Sequence, residues 1–121
     1  MKKVLLIEDE QNIAEALRFI LNRDGCAVDL HADGATAVSA VESRKPDMVI
    51  LDVMLPNKSG FDILRDLRAH PELSETPVLM LTARGQEKDR RLAEEIGATE
   101  FMTKPFSNDE VLQTVRDILA R

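Results

Sequence analysis

Five side chains in this sequence have the types needed for shared chemistry: the carboxylates of Glu8, Asp9 and Asp52, the hydroxyl of Thr82 and the ammonium of Lys104. Three carboxylates brought together repel, by about 4 kcal/mol per pair at 4 Å and an effective dielectric near 20. Such a group raises its own pKa values or takes up a cation. One lysine does not balance it. A hard divalent ion such as Mg²⁺ suits an open set of oxygen ligands, with Asp9 and Asp52 bound directly and the longer Glu8 acting through water. A divalent ion and an ammonium around one carboxylate are what phosphoryl transfer needs. The carboxylate can itself be the nucleophile and form an aspartyl phosphate. Asp52 is the candidate; Thr82 would hydrogen-bond one phosphoryl oxygen and Lys104 would pair with another.

The elements that would position these residues read as follows. Val4-Leu5-Leu6-Ile7, Met48-Val49-Ile50-Leu51 and Val78-Leu79-Met80-Leu81 are continuous apolar runs of strand length. Two further candidates differ: Ala27-Val28-Asp29-Leu30-His31 alternates, and Thr99 to Thr103 holds one apolar pair. Between them lie stretches of helical period. Ile13, Leu17, Ile20 and Leu21 form a stripe, with Asn12 and Glu15 spaced as an N-terminal cap and Gly25 as a stop. Ala37, Val38 and Val41 form a second, ending before Pro46. Ser59 and Asp62 open a third, and Leu92, Ala93 and Ile96 give a fourth a thin apolar face ended by Gly97. Ser107 and Glu110 form a capping box for a fifth.

A strand-helix unit repeated five times implies an α/β, three-layer, doubly wound (βα)5 domain with a five-stranded parallel sheet. Strands buried on both faces are continuously apolar and edge strands alternate, so the first, third and fourth strands lie inside. Right-handed crossovers then favour the order 2-1-3-4-5, the flavodoxin-like arrangement. Such sheets bind ligands beyond the carboxyl ends of the strands, where the winding reverses. Glu8-Asp9, Asp52, Thr82 and Lys104 stand at those ends.

Taken singly, each has an ordinary explanation: a helix cap for Glu8 or Asp9, a β-branched strand end for Thr82, a solvated charge for Lys104. Asp52 fits the cap explanation less well, because its helix starts near Ser59. The conjunction at one sheet edge is what points to function.

The 121 residues suit one domain, read as 1–121 with no output domain after Arg121. A net charge of −6 repels phosphate backbones, which disfavours direct nucleic-acid binding. One cysteine excludes an internal disulfide, and no apolar run spans a bilayer; the expected location is the cytoplasm, with no membrane partner. Cys26 reads as a small apolar filler, His70 as a helix cap, and His31, with no second ligand beside it, not as a metal site.

At these residues the sequence resembles the receiver domain of two-component response regulators over essentially its whole length. The resemblance is carried by Val4 to Glu10, Pro46 to Pro56, Gly60, Leu81-Thr82-Ala83, Gly97-Ala98 and Lys104-Pro105-Phe106. It implies that Asp52 accepts a phosphoryl group from a phosphohistidine on a sensor histidine kinase or phosphotransfer protein. It adds the Met54 backbone carbonyl to the Mg²⁺ ligands, makes Phe101 a switch aromatic that follows Thr82, and places a cis peptide at Lys104-Pro105. It implies a switch that catalyses only its own phosphorylation and slow self-dephosphorylation. The switch would act on a downstream effector through the face made by the fourth helix, fifth strand and fifth helix. Met54, Ala83 and Arg84, just beyond Asp52 and Thr82, would flank the phosphate and tune its lifetime.

The sequence departs from the family pattern in two places. The first acidic residue is Glu8 where many receivers have aspartate. Thr114 stands where the dimer-forming charge ladder of DNA-binding members has a basic residue, so the expectation is a monomer or a weak, phosphorylation-dependent dimer. Rival readings are weaker. A haloacid-dehalogenase-type phosphatase needs an acid two residues after the nucleophile, where Met54 stands. A flavodoxin needs a phosphate loop after the first strand, where Glu8-Asp9-Glu10 would repel the ligand. A binding module that has lost phosphorylation is disfavoured by the intact Asp52, Thr82 and Lys104.

Overall fold

The apolar runs become the strands. The structure is a computed structural model and describes residues 1–83 and 86–121. In chain order it contains β1 (Lys2–Ile7), α1 (Gln11–Arg23), β2 (Cys26–His31), α2 (Ala37–Arg44), β3 (Met48–Asp52), α3 (Gly60–Ala69), β4 (Val78–Thr82), α4 (Glu87–Ile96), β5 (Glu100–Thr103) and α5 (Asn108–Leu119). A short 3-10 turn at Gly34–Thr36 precedes α2. All strand pairs are parallel and the order is β2-β1-β3-β4-β5, as the run types and crossover rule predict.

Burial follows the same logic. Every residue of β3 and β4 is buried, as are the last four of β1, whereas β2 and β5 bury only Cys26 and Phe101. Alternate residues of the inner strands face opposite layers. Val4, Leu6, Met48, Ile50, Leu79 and Leu81 pack with the buried faces of α1 and α5. Leu5, Ile7, Val49, Leu51, Val78 and Met80 pack with those of α2, α3 and α4. Each such side chain contributes roughly 1.5–3 kcal/mol by leaving water, so the two layers hold the sheet's carboxyl edge rigid.

Helix ends follow the caps with one exception. Ser59 accepts from the Asp62 amide, and Ser107 with Glu110 forms the complete capping box. Gly25 and Gly97 take the left-handed conformation after α1 and α4. The cap of α1 is not Asn12 with Glu15: the helix begins at Gln11, its N-terminal flanking residue is Glu10, and no side chain caps it. The connection from β1 is so short that Asn12 already lies within the first turn. No helix among the described residues is long and apolar enough to cross a membrane.

Candidate functional site

Strand pairing brings the candidate residues together. Asp52 pairs with Leu81 across β3 and β4, and Thr82 pairs with Thr103 across β4 and β5. The backbone continues this register beyond the strands: Val53 donates to the Leu81 carbonyl at 2.9 Å and Lys104 to the Thr82 carbonyl at 2.7 Å. The Lys104–Pro105 peptide is cis.

Glu8, Asp52 and Thr82 are buried polar residues, and Lys104 keeps only 12% of its side chain exposed. The Lys104 ammonium lies 2.8 Å from Glu8 Oε1, 3.3 Å from Asp52 Oδ2 and 3.9 Å from Glu10 Oε1. Glu8 Oε2 accepts from the Glu10 amide at 3.2 Å, which folds the start of α1 toward the group. One carboxylate oxygen each from Glu8, Glu10 and Asp52 lie within 4.8 Å of one another.

The electrostatics follow from this crowding. Burial, then a hydrogen bond and charge repulsion from Asp52, push the Glu8 carboxyl above its ordinary value; Lys104 and the Glu10 amide oppose this. For Lys104, burial is the largest single influence and works downward. The hydrogen bond to Glu8 and the charges of Asp52 and Glu8 together outweigh it, so the ammonium is held above its ordinary range. Among the described residues three carboxylates share one ammonium, and every ligand atom the group offers is an oxygen. That set fits a hard divalent cation such as Mg²⁺.

The residue types predict Asp9 beside Asp52 as a direct ligand and Glu8 acting through water. In the structure Asp9 is exposed and outside the group of three, while Glu8 is buried in it and Glu10 joins it. Glu10 reaches the group because the chain bends at Asp9 and its amide donates to Glu8 Oε2, a local turn that the residue types do not announce. The Met54 amide lies 3.4 Å from Asp52 Oδ1, with its side chain exposed. Ala83 is exposed. Arg84 lies outside the described residues. Phe101 is buried, with the Arg90 guanidinium 5.0 Å from its ring centre. Cys26 is buried. His31 Nε2 lies 2.8 Å from the Thr36 hydroxyl, and His70 Nδ1 accepts from the Glu72 amide.

A family profile described as response regulator receiver domain matches residues 4–116. The chain belongs to this family. It is 47% identical over 119 residues to the transcriptional regulatory protein CreB of Escherichia coli K12, which covers 98% of this chain and 51% of CreB. The chain thus spans about half the length of the curated relatives it matches. Among solved structures, the BeF3-activated N-terminal receiver domain of Klebsiella pneumoniae RstA superposes with a TM-score of 0.92 at 28% identity, covering 98% of this chain and 99% of that one. The receiver domain of the sensor histidine kinase PA1611 of Pseudomonas aeruginosa PAO1 superposes with a TM-score of 0.90 at 28% identity, covering 99% and 98%. That structure has a magnesium ion coordinated in its active-site cleft. The acidic group of this receiver domain occupies the carboxyl edge of the same sheet and is compatible with such an ion.

Proposed function

We propose that this receiver domain is a phosphorylation-activated switch whose phosphoacceptor is Asp52. The observation that carries this is the buried Asp52 carboxylate facing the Lys104 ammonium at 3.3 Å within an acidic group. An Asp52 oxygen attacks the phosphorus of a phosphohistidine on a sensor histidine kinase or phosphotransfer protein. The phosphorus–nitrogen bond breaks and the donor's imidazole leaves. Mg²⁺ would be held by Glu8, Asp52 and the Met54 carbonyl, with Glu10 in the same group and Asp9 turning in from its exposed position, and would supply neutralising charge to the phosphoryl oxygens.

The chain's own groups do the rest. Lys104 pairs with one phosphoryl oxygen, drawn from its contact with Glu8, and the Thr82 hydroxyl moves to another. Phe101 follows Thr82, and the face of α4, β5 and α5 changes its affinity for a downstream effector. Met54, Ala83 and Arg84 flank the phosphate and set how readily water reaches it. The only reactions catalysed are the domain's own phosphorylation and its slow reversal by water.

Two ion pairs support the monomeric or weakly dimeric reading. Arg116 is bound to Asp24 at 2.6 Å, and Arg121 to Glu100 at 2.9 Å, so the charges of Arg116 on α5 and Glu100 on β5 are met within the chain.

The test is to add acetyl phosphate or phosphoramidate with Mg²⁺ and weigh the intact protein. A gain of one phosphate, absent in Asp52→Asn and after chelation of the ion, is expected. An equal gain in Asp52→Asn would overturn the assignment, and steady release of phosphate from p-nitrophenyl phosphate would favour a phosphatase.

A further inference from the structure

The segment after Asp52 carries the Met54 carbonyl, and its tip is held by the loop that follows β2, two strands away at the same carboxyl edge of the sheet. The Asp33 carboxylate accepts, on one oxygen, from the Asn57 side-chain amide at 2.9 Å and the Ala35 backbone amide at 2.9 Å. Next to it the Gly34 amide donates to the Pro56 carbonyl at 3.1 Å. A Cβ at Gly34 would lie 2.4 Å from the Lys58 carbonyl and 2.8 Å from the Pro56 carbonyl, both backbone atoms that cannot swing aside. Asn57 is held in the left-handed region with φ 71, a conformation asparagine tolerates better than most residues. The other end of the segment is equally close: a Cβ at Gly60 would lie 2.3 Å from the Asp52 carbonyl.

We infer that Asp33 and Asn57 are positioning residues for the cation site: their contact, with glycine at 34, holds the segment 54–58 so that the Met54 carbonyl is presented beside Asp52. This rests on the reading of Asp52 and Met54 given above. Asp33 touches none of the reacting groups. Its carboxylate, held below its ordinary range by the bonds from Asn57 and Ala35 and by the charge of His31, is committed to the loop. A carbonyl ligand has no charge with which to draw the ion, so its contribution depends on being in place beforehand. Partners that orient metal ligands typically contribute 10- to 100-fold to affinity.

The test uses Mg²⁺ titration of the whole chain, followed by the amide resonances of residues 52–58, together with hydrogen exchange of amides 54–58 without the ion. Asp33→Ala and Asn57→Gly are expected to weaken Mg²⁺ binding by roughly tenfold and to speed exchange in that segment. Glycine at 57 permits the left-handed conformation but adds backbone freedom, and Asp33→Ala removes the same bond without altering that backbone, so a matching effect in both variants isolates the side-chain bond. Asp33→Asn retains the accepting oxygen and is expected to restore binding to near the wild-type value. Unchanged affinity in Asp33→Ala, faster exchange without weaker binding, or failure of Asp33→Asn to rescue would each overturn the inference. So would absence of Mg²⁺ binding by the wild type. If the variants behave as expected while Asp52 takes no phosphate from acetyl phosphate, the positioning role stands and the phosphoacceptor assignment fails.

Discussion

The ammonium of Lys104 lies nearer to Glu8 Oε1, at 2.8 Å, than to Asp52 Oδ2, at 3.3 Å. The cation opposite Asp52 is therefore shared with a carboxylate that is itself fully buried. In the proposed mechanism Glu8 holds the lysine in reserve, and a phosphoryl group on Asp52 would compete for it with more charge. The arrangement also concentrates like charges at a rigid sheet edge, with consequences for stability that need no partner to measure.

Glu8 makes stability depend on pH in the absence of metal. Its carboxyl is raised above the ordinary 4.5 in the folded protein, first by burial and then by Asp52. Between the unfolded and folded values the native state holds more protons, so stability falls as pH rises through that window. Glu8→Gln removes this dependence. In chelator, the stability of Glu8→Gln relative to wild type is expected to climb from pH 4.5 upward and then level off, as read by urea unfolding. A difference that stays flat with pH would show that Glu8 does not carry the strain.

Asp52→Asn is expected to stabilise the metal-free domain by about 1–2 kcal/mol, because it removes one of three crowded negative charges and the burial cost of a carboxylate. Mg²⁺ reverses the ranking. A ligand at a hundred times its dissociation constant adds about 2.7 kcal/mol to the form that binds it, and the variant has lost a charged ligand. Thermal melts with and without Mg²⁺ check both halves. A variant less stable than wild type in chelator would mean that the ion pair with Lys104 outweighs the repulsion.

How much of this could be read from residues alone depends on whether the signal was local. The inner strands were legible because burial on both faces demands unbroken apolar runs, and Met48–Leu51 and Val78–Leu81 have them. Their order followed from crossover handedness. Ser59 and Ser107 were legible as caps because a hydroxyl and an acid three residues on form a self-contained unit. Asn12 and Glu15 have a similar spacing, yet the chain enters α1 earlier, from an acidic group assembled by β1, β3 and Lys104. Glu10 entered that group unread for the same reason. Asp33 with Asn57, and Arg68 with Gly97, are contacts across 24 and 29 residues that no periodicity encodes.

Arg68 is the strongest of these long-range ties. Its guanidinium donates to the carbonyls of Gly97 at 2.9 Å, Thr76 at 2.7 Å and Ser74 at 3.2 Å. Burial pulls its pKa down against the charge of Glu75, and it sits at the carbonyl end of α4, where positive charge is favoured. Hydrogen bonds from a charged donor contribute about 1.5–3 kcal/mol each and are not additive, so Arg68→Ala is expected to cost roughly 3 kcal/mol. Lysine cannot reproduce the planar fork, so Arg68→Lys is expected to recover only part. Hydrogen exchange should quicken most around 94–98. Uniform quickening across the domain, or a cost below about 1 kcal/mol, would deny Arg68 this role.

Arg90 and Phe101 offer a test of the switch that does not require the effector. The exposed Arg90 guanidinium lies 5.0 Å from the centre of the Phe101 ring, close enough for a cation–π attraction of about 0.5–1 kcal/mol. Phe101 is buried against Met80 in the sheet register, so the cation covers its outer side. If Phe101 changes rotamer when Asp52 is modified, this contact belongs to the unmodified state, and losing it shifts the balance toward the other state. At 0.5–1 kcal/mol the shift is about two- to fivefold, too small to switch the domain but large enough to detect. Arg90→Ala is expected to move the Phe101 ring resonances part-way toward their positions in the beryllofluoride-treated wild type, while leaving Mg²⁺ affinity unchanged. Arg90→Lys, which retains a cation, should move them less. Ring resonances that stay put in Arg90→Ala, or that do not respond to beryllofluoride in wild type, would remove Phe101 from the switch and leave it a packing residue of β5.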